Sequence, residues 1–466
     1  MVVGRARRYG HDVIRNLAEL LGDLVTSHGV AGAGVAVLLD GQVHEAAVGV
    51  ADVRTGSALT PRHVCFVGST AKVLTATLLM QLVDEGLVRL DESVTDYVKP
   101  LDLPRDITVA QLLSHTSGLA MGPYADHRRD DDAVTSYAES IGPRNVVCGA
   151  GERWGYSNAG LVIAGRIVEL LRMTDWDTAL RRHILEPAGL TESATLPEEA
   201  ILHPVALPHL RSGDAVTVAP GWGIAGRAMG PTGSSLVMTP ADLVKFAAVH
   251  LSGGIASDGT RLLSAESVDA MMQPRTQMSP GSPFADQWGL GWYLAQWGAA
   301  PTVGHSGHNL GAGSHLMLFP DAGGAMSVVF NTVPGDAGLV HELFRELASE
   351  LFGADKPTPW KPVTPLPPDV TERYAGRYAC SEFEVEAEAV GGELDVTVVE
   401  SAVRRPPRRM RPVLDGAAWG TGELGEHAAA APQGQLTPEV FFSDFDEQGR
   451  PQFAHLSVFL ARRTTT

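Results

Sequence analysis

The chain has 466 residues, of which 44% are hydrophobic and 19% charged, and its formal net charge is −18. That length exceeds one ordinary domain, and the composition is that of a globular protein with ample apolar mass for a core. The acidity excludes a nucleic-acid partner, and no apolar stretch is long enough for a membrane span, so neither is expected.

The N-terminal residues are basic, but no apolar run of the kind a secretory leader carries follows them. Leu17 to Val25, interrupted by Glu19, Gly22 and Asp23, has the spacing of an amphipathic helix. A cytoplasmic location is the expectation. Gly34 to Leu39 and Val43 to Val50 flank Asp40-Gly41 and predict a β-hairpin. Cys65 sits in the apolar run Val64–Val67 and is expected to be packed inside. The three cysteines, Cys65, Cys148 and Cys380, are too widely spaced for a disulfide framework or a zinc site.

From Ser69 to about Glu85, Val73, Leu74, Leu78 and Leu82 predict a helix stopped by Gly86. Leu161 to Leu171 and Pro240 to Leu251 are further helices. Ser314 to Phe319 and Met326 to Asn331 predict strands around a turn, and Gly338 to Phe352 a last helix with leucine at every fourth place. Residues 353–369 carry six prolines and read as a semi-rigid spacer. Beyond it the runs Glu393 to Val399 and Phe453 to Leu460 are strand-like.

The expected fold class is therefore α/β in the α+β sense: a mostly antiparallel sheet flanked by helices, with a helical subdomain, plus a small C-terminal β-barrel. The expected division is a catalytic domain over 1–355, a linker over 356–369 and a β-domain over 370–466.

Three short motifs carry chemistry. In Ser69-Thr70-Ala71-Lys72, positions i and i+3 share a helix face, which sets a hydroxyl at the positive helix end with an amine one turn on. A desolvated lysine has a lowered pKa and can act as a base. In Tyr156-Ser157-Asn158, a phenol beside a lysine can shuttle a proton, and Asn158 can hold a substrate carbonyl. In Gly304-His305-Ser306-Gly307-His308, expected on a strand edge, Gly307 admits close backbone approach, and the His308 amide can join that of Ser69 as an oxyanion hole. Each motif alone also fits a plain structural role: a capping serine with a surface lysine, a Ser/Asn helix cap, and a His/Gly loop. His305 and His308 lack an acidic partner nearby in sequence, so neither a metal nor a cofactor is expected.

Taken together and in this order, the motifs resemble the serine β-lactamase and penicillin-binding-protein superfamily, in its class C β-lactamase, D-peptidase and esterase branch. Leu112-Leu113-Ser114-His115-Thr116-Ser117-Gly118-Leu119 resembles a second family block, and Pro231-Thr232-Gly233-Ser234-Ser235-Leu236 a third. The resemblance covers roughly 30–352 and implies roles by position. Ser69 would be the nucleophile, Lys72 and Tyr156 the bases, and Asn158 a substrate-amide ligand. His305 would stand at the third-motif lysine, and Gly307 and His308 would lie beside the substrate. Histidine in place of lysine lowers the expectation of penicillin hydrolysis, because imidazole is mostly neutral at pH 7.

The segment opening with Tyr374-Ala375-Gly376-Arg377-Tyr378 resembles the lipocalin-like domain appended to some members. That arrangement is similar to penicillin-binding-protein-type thioesterases, which release a nonribosomal peptide by macrocyclisation or hydrolysis. The alternatives are a D-stereospecific peptidase or amidase, a small-molecule esterase, and a non-catalytic sensor or scaffold of the same fold. The implied partners are a small ester or peptidyl substrate and an acyl or peptidyl carrier protein. The basic run Val403–Arg411 could dock such a carrier or be a solvated loop; Arg462 and Arg463 could reach the active site to bind a carboxylate or belong to a frayed tail.

Overall fold

The computed structural model describes residues 14–123, 128–221, 226–278, 285–357, 365–400, 403–413, 418–421 and 437–464. The basic N-terminal residues 1–13 and spacer residues 358–364 lie outside these.

Helix α1 (Leu17–His28) buries Leu17, Leu21, Leu24 and Val25 along one stripe, and Gly29 ends it in the left-handed region at φ 64°. Strands β1 (Gly32–Leu39) and β2 (Gln42–Asp52) follow, joined by Asp40 and Gly41, both with positive φ. Two residues at positive φ give the turn whose twist matches a hairpin. Short β3 (Ser57–Ala58) completes this edge.

Six later strands join the same sheet: β4 (Thr276–Gln277), β5 (Gln287–Trp288), β6 (Tyr293–Trp297), β7 (Ala300–Asn309), β8 (Ala312–Phe319) and β9 (Gly324–Phe330). Their order is β3-β2-β1-β9-β8-β7-β6-β5-β4, so the two ends of this region meet where β1 pairs antiparallel with β9. Both faces of that pair are buried. On β1, Val35 and Val37 join one core, while Ala36 and Leu38 join the other. Helix α5 (Asp336–Phe352) packs with α1, and α4 (Pro240–Leu251) crosses β1 and β9. Thr239 caps α4, accepting from the Asp242 amide at 3.1 Å, and Pro240 takes the first position, where no donor is needed.

Helix α2 (Ala71–Asp84) follows a 3₁₀ turn, Gly68–Thr70. The leucine spacing predicts one apolar face, but the helix is enclosed all round: twelve of its fourteen residues are buried. Most of its polar groups find partners, although the Gln81 side-chain oxygen has none among the described residues. Thr75 donates to the Pro231 carbonyl at 2.7 Å and receives a bond from Trp176 Nε1 at 3.1 Å. Cys65 is buried, as its apolar neighbours suggest, with its thiol on the Phe330 carbonyl at 3.2 Å.

The C-terminal region forms a separate antiparallel sheet from β10 (Gly376–Ala379), β11 (Phe383–Val390), β12 (Glu393–Glu400), β13 (Arg408–Val413), β14 (Ala418–Thr421), β15 (Thr437–Phe445), β16 (Pro451–Leu456) and β17 (Phe459–Arg463). Its ladder runs β11-β10-β17-β16-β15-β14-β13-β12, and β12 pairs in turn with β11. The run Phe453 to Leu460, expected as one strand, is broken. Ser457 adopts φ 57°, and the chain reverses between β16 and β17.

Candidate active site

The site lies where the start of α2 meets an open edge of the large sheet. The ladder between β6 and β7 ends at Tyr293 and Gly304, so residues 305–309 run past it and face the Gly68–Thr70 turn. This is the strand edge that the third motif predicts. Glycine permits the approach. A Cβ on Gly307 would fall 2.0 Å from the Val67 carbonyl oxygen and 2.4 Å from the Ser69 nitrogen. A Cβ on Gly68 would fall 2.6 Å from the His308 nitrogen. The main chains of Ser69 and His308 therefore sit against each other.

Lys72 is 1% exposed. Its Nζ is 2.9 Å from Ser69 Oγ and 3.1 Å from the Thr232 carbonyl oxygen. Burial drives its pKa well below the ordinary lysine value, and no ion pair to it occurs among the described residues. The Tyr156 ring lies over this amine, with its centroid 4.9 Å from Nζ.

Tyr156 precedes α3 (Asn158–Arg172), whose N-cap Ser157 accepts from the Gly160 amide at 3.1 Å. The same hydroxyl donates to the Ala120 carbonyl at 2.6 Å, which ties the motif to the chain after Leu119. Asn158 is the first residue of α3, 2% exposed, with its amide on the Met121 carbonyl at 3.0 Å.

His305 is 2% exposed. Its Nδ1 donates to the Ser306 carbonyl at 2.8 Å, because a carbonyl oxygen can only accept. Nε2 is then the lone-pair nitrogen, and it is buried with no hydrogen-bond partner among the described residues. Burial, helped by the Lys72 amine, pushes its pKa down to about 3. The imidazole is neutral at physiological pH, more firmly than its reference value implies.

Thus Ser69, Lys72, Tyr156, His305, Gly307 and His308 come together, and Asn158 starts the helix beside them. Arg463 is elsewhere. Its guanidinium donates to the Tyr378 hydroxyl at 2.9 Å and to the carbonyls of Ala375, Arg373 and Pro451, and so holds the C-terminal sheet together. Arg462 lies over the Phe453 ring at 5.8 Å. In the basic run, Arg404 pairs with Glu386, Arg405 with Glu400, Arg409 with Asp395 and Glu393, and Arg411 with Glu393. Much of its charge is spent within its own sheet.

Several neighbours carry no sequence-derived role. His115, at φ 56°, lies against Tyr156 with ring centroids 4.3 Å apart and the planes tilted by 34°, and its Nδ1 accepts from the Ser157 amide at 3.2 Å. Trp288 meets His115 at 4.9 Å and His305 at 5.5 Å. The Thr232 carbonyl belongs to the block at 231–236, and Gly233 of that block presses against the Gly68 carbonyl. The blocks around His115 and Thr232 stood out in the sequence. Nothing marked Trp288.

The family model described as Beta-lactamase matches residues 17–349. Penicillin-binding protein 4 of Amycolatopsis lactamdurans is 41% identical over 363 residues, 76% of this chain and 94% of that protein. A crystal structure of SurE with D-Leu, 27% identical, superposes with a TM-score of 0.74 over 97% of this chain and 100% of that one. The D-amino acid amidase of Ochrobactrum anthropi SV3 complexed with D-phenylalanine, 23% identical, shares the fold with a TM-score of 0.63 over 73% of this chain and 99% of that one. No helix among the described residues is long and apolar enough to cross a membrane. The site residues thus stand on a fold with known relatives, and the chain belongs to the Beta-lactamase family of serine hydrolases.

Proposed function

We propose that the protein forms an acyl-enzyme on Ser69 and transfers the acyl group to water or to an amine or alcohol nucleophile. One observation carries this reading: a buried amine, without an ion-pair partner among the described residues, stands 2.9 Å from the serine hydroxyl. Such an amine is held neutral and has a lone pair to take the Ser69 proton as Oγ attacks the acyl carbon. The amides of Ser69 and His308 face the oxyanion, and Asn158 binds the substrate amide. Tyr156, over the same amine, passes a proton to the leaving group. Deacylation runs the same steps in reverse with the second nucleophile.

The acyl donor in this reading is a peptidyl thioester or ester ending in a D-residue, released by hydrolysis or macrocyclisation. The relative crystallised with D-Leu supports the D-configuration. A D-amino-acid amide is the second reading, favoured by that same observation. Neutral His305 offers a hydrogen-bond acceptor where a cation would attract a carboxylate, so penicillins and cephalosporins are poor substrates.

Intact-mass spectrometry with a fluorophosphonate tests the nucleophile: wild type gains one adduct and Ser69→Ala none. A panel of peptidyl thioesters, amino-acid amides and p-nitrophenyl esters tests the acyl group. A D-terminus is expected to exceed its L-counterpart by at least about tenfold in kcat/KM. An adduct on Ser69→Ala refutes the nucleophile, and equal rates for D- and L-termini refute the stereochemical reading.

A further inference from the structure

The segment that carries Tyr156 is held from two sides, and one side is the C-terminal sheet. The Tyr156 amide donates to the Val458 carbonyl at 3.0 Å. The Phe459 ring meets the Tyr156 ring edge-on at 5.9 Å. Trp154 lies parallel to His455 at 6.3 Å, with 13° between the planes. Arg153 pairs with Asp444. Gly155 makes the approach possible, because a Cβ there would come within 2.8 Å of Leu460 Cβ. Behind the contact, Phe453 and Leu460 share one apolar cluster with Ala120, Val147 and Cys148. From the catalytic region itself, the His115 ring lies tilted against Tyr156 and its carbonyl accepts from the Gly155 amide at 2.9 Å.

We propose that the turn Leu456–Leu460 is a positioning element of the active site, with Val458 fixing the peptide plane of Tyr156 and Phe459 fixing its ring. This rests on the reading of Tyr156 as a proton carrier. The main-chain bond sets where the side chain departs, and Phe459 closes the ring cage that His115 and Trp288 begin around it. A proton carrier misplaced by about 1 Å loses about a hundredfold in rate, so a hold on both main chain and ring has catalytic consequence. Without Phe459, His115, Trp288 and His305 still border the phenol ring, but its C-terminal-sheet side is open and the ring gains room to turn away from Lys72. The C-terminal sheet then completes a site whose nucleophile it does not supply.

The test uses the full-length protein and a small fluorophosphonate that has no acyl chain to seat. The second-order rate of Ser69 labelling is measured from pH 5 to 10, beside the thermal midpoint. Phe459→Ala is expected to lower the rate by about tenfold or more and to displace its pH profile. Phe459→Leu keeps apolar bulk and fold and is expected to lose about threefold. Val385→Ala removes bulk from the core of the same sheet, where Val385 is fully buried and makes no ring contact with Tyr156, and is expected to lower the midpoint while leaving the rate unchanged. Either Phe459 variant labelling at the wild-type rate with an unmoved profile overturns the proposal. So does Val385→Ala losing rate in step with stability, since the sheet would then act only by packing. If wild type gains no Ser69 adduct, the Tyr156 reading falls and takes this inference with it.

Discussion

At the scale of one residue, Lys72 concentrates the chemistry. Its amine makes two bonds, to Ser69 Oγ and to the Thr232 carbonyl, in surroundings that disfavour charge. An ammonium buried without a counter-ion is costly, so burial disfavours the charged form and its pKa falls. The sign of the linked stability follows. Between the lowered folded value and the unfolded value near 10.5, the unfolded chain binds one more proton than the folded one. Stability therefore rises with pH through that window and is lost as pH falls through it. At pH 7 the amine costs stability, in exchange for a base beside Ser69. Lys72→Met keeps the length and removes the polar group. It is expected to abolish Ser69 labelling and to raise stability by an amount on the order of 1 kcal/mol, read as a higher urea midpoint at unchanged m. A lower midpoint would mean that the two hydrogen bonds outweigh the desolvation of the amine.

At the scale of elements, the site depends on loops anchored far from it. The Thr232 carbonyl and Gly233 sit after Arg227, whose guanidinium bridges Asp175, Asp177 and Asp131. Asp177 is 4% exposed, and burial lifts its pKa to about 7 even with Arg227 beside it. Arg227→Ala would strand that carboxyl and free the loop. It is expected to cost about 2–3 kcal/mol, since the pairing with exposed Asp131 adds little, and to slow labelling of Ser69. The pair change Arg227→Met with Asp177→Leu is expected to recover stability, because it removes the deeply buried charge and leaves only the more exposed Asp175 and Asp131 without the guanidinium; failure to recover would show that the bridges themselves hold the loop. The same distinction explains what was legible in the sequence. Ser69 and Lys72 were legible because i and i+3 on a helix are neighbours whatever the tertiary fold. The hairpin at Asp40-Gly41 and the helices at 161–171 and 240–251 were legible because turn chemistry and periodicity are local. Tyr156 and His305 became candidates only through the order of motifs, as nothing local joins residues so far apart. The reversal at Ser457 was hidden, because serine seldom takes a left-handed conformation and no Gly or Asn marked it. Whether Arg462 or Arg463 reaches the site was open in the sequence for a related reason. Carbonyls of their own sheet claim Arg463, and the turn four residues upstream makes the contact instead.

At the scale of the whole molecule, the histidines set the response to acid. His115, His250, His305 and His455 are each at most 2% exposed, and burial lowers all four pKa values, to about 4 for His250 and His455 and about 3 for His305. Below the unfolded value near 6.5, the unfolded chain takes up protons that the folded chain refuses. Stability is then full above about pH 6.5 and falls as pH drops toward the folded values, with each imidazole contributing at most about 1.4 kcal/mol per pH unit. Two carboxyls act the other way. Asp177 and Glu169 have raised values and hold a proton in the folded state that the unfolded chain has lost, so acidification favours the fold at those two positions. Relief of the net charge of −18 acts in the same direction, but salt at 0.15 M screens it over about 8 Å. Five buried imidazoles, with His209 lowered by burial in the same way, against two carboxyls leave a net loss. The thermal midpoint in 0.15 M salt is expected to fall steadily from pH 7 to pH 5. His250→Gln should make that fall shallower by up to one proton's worth, because His250 packs on Phe246 and Trp292 and is not among the catalytic residues. A midpoint that holds steady or rises on acidification would mean that these imidazoles titrate as exposed groups. His305 would then be a cation near pH 6, and the site would present a positive charge to its substrate in place of a lone pair.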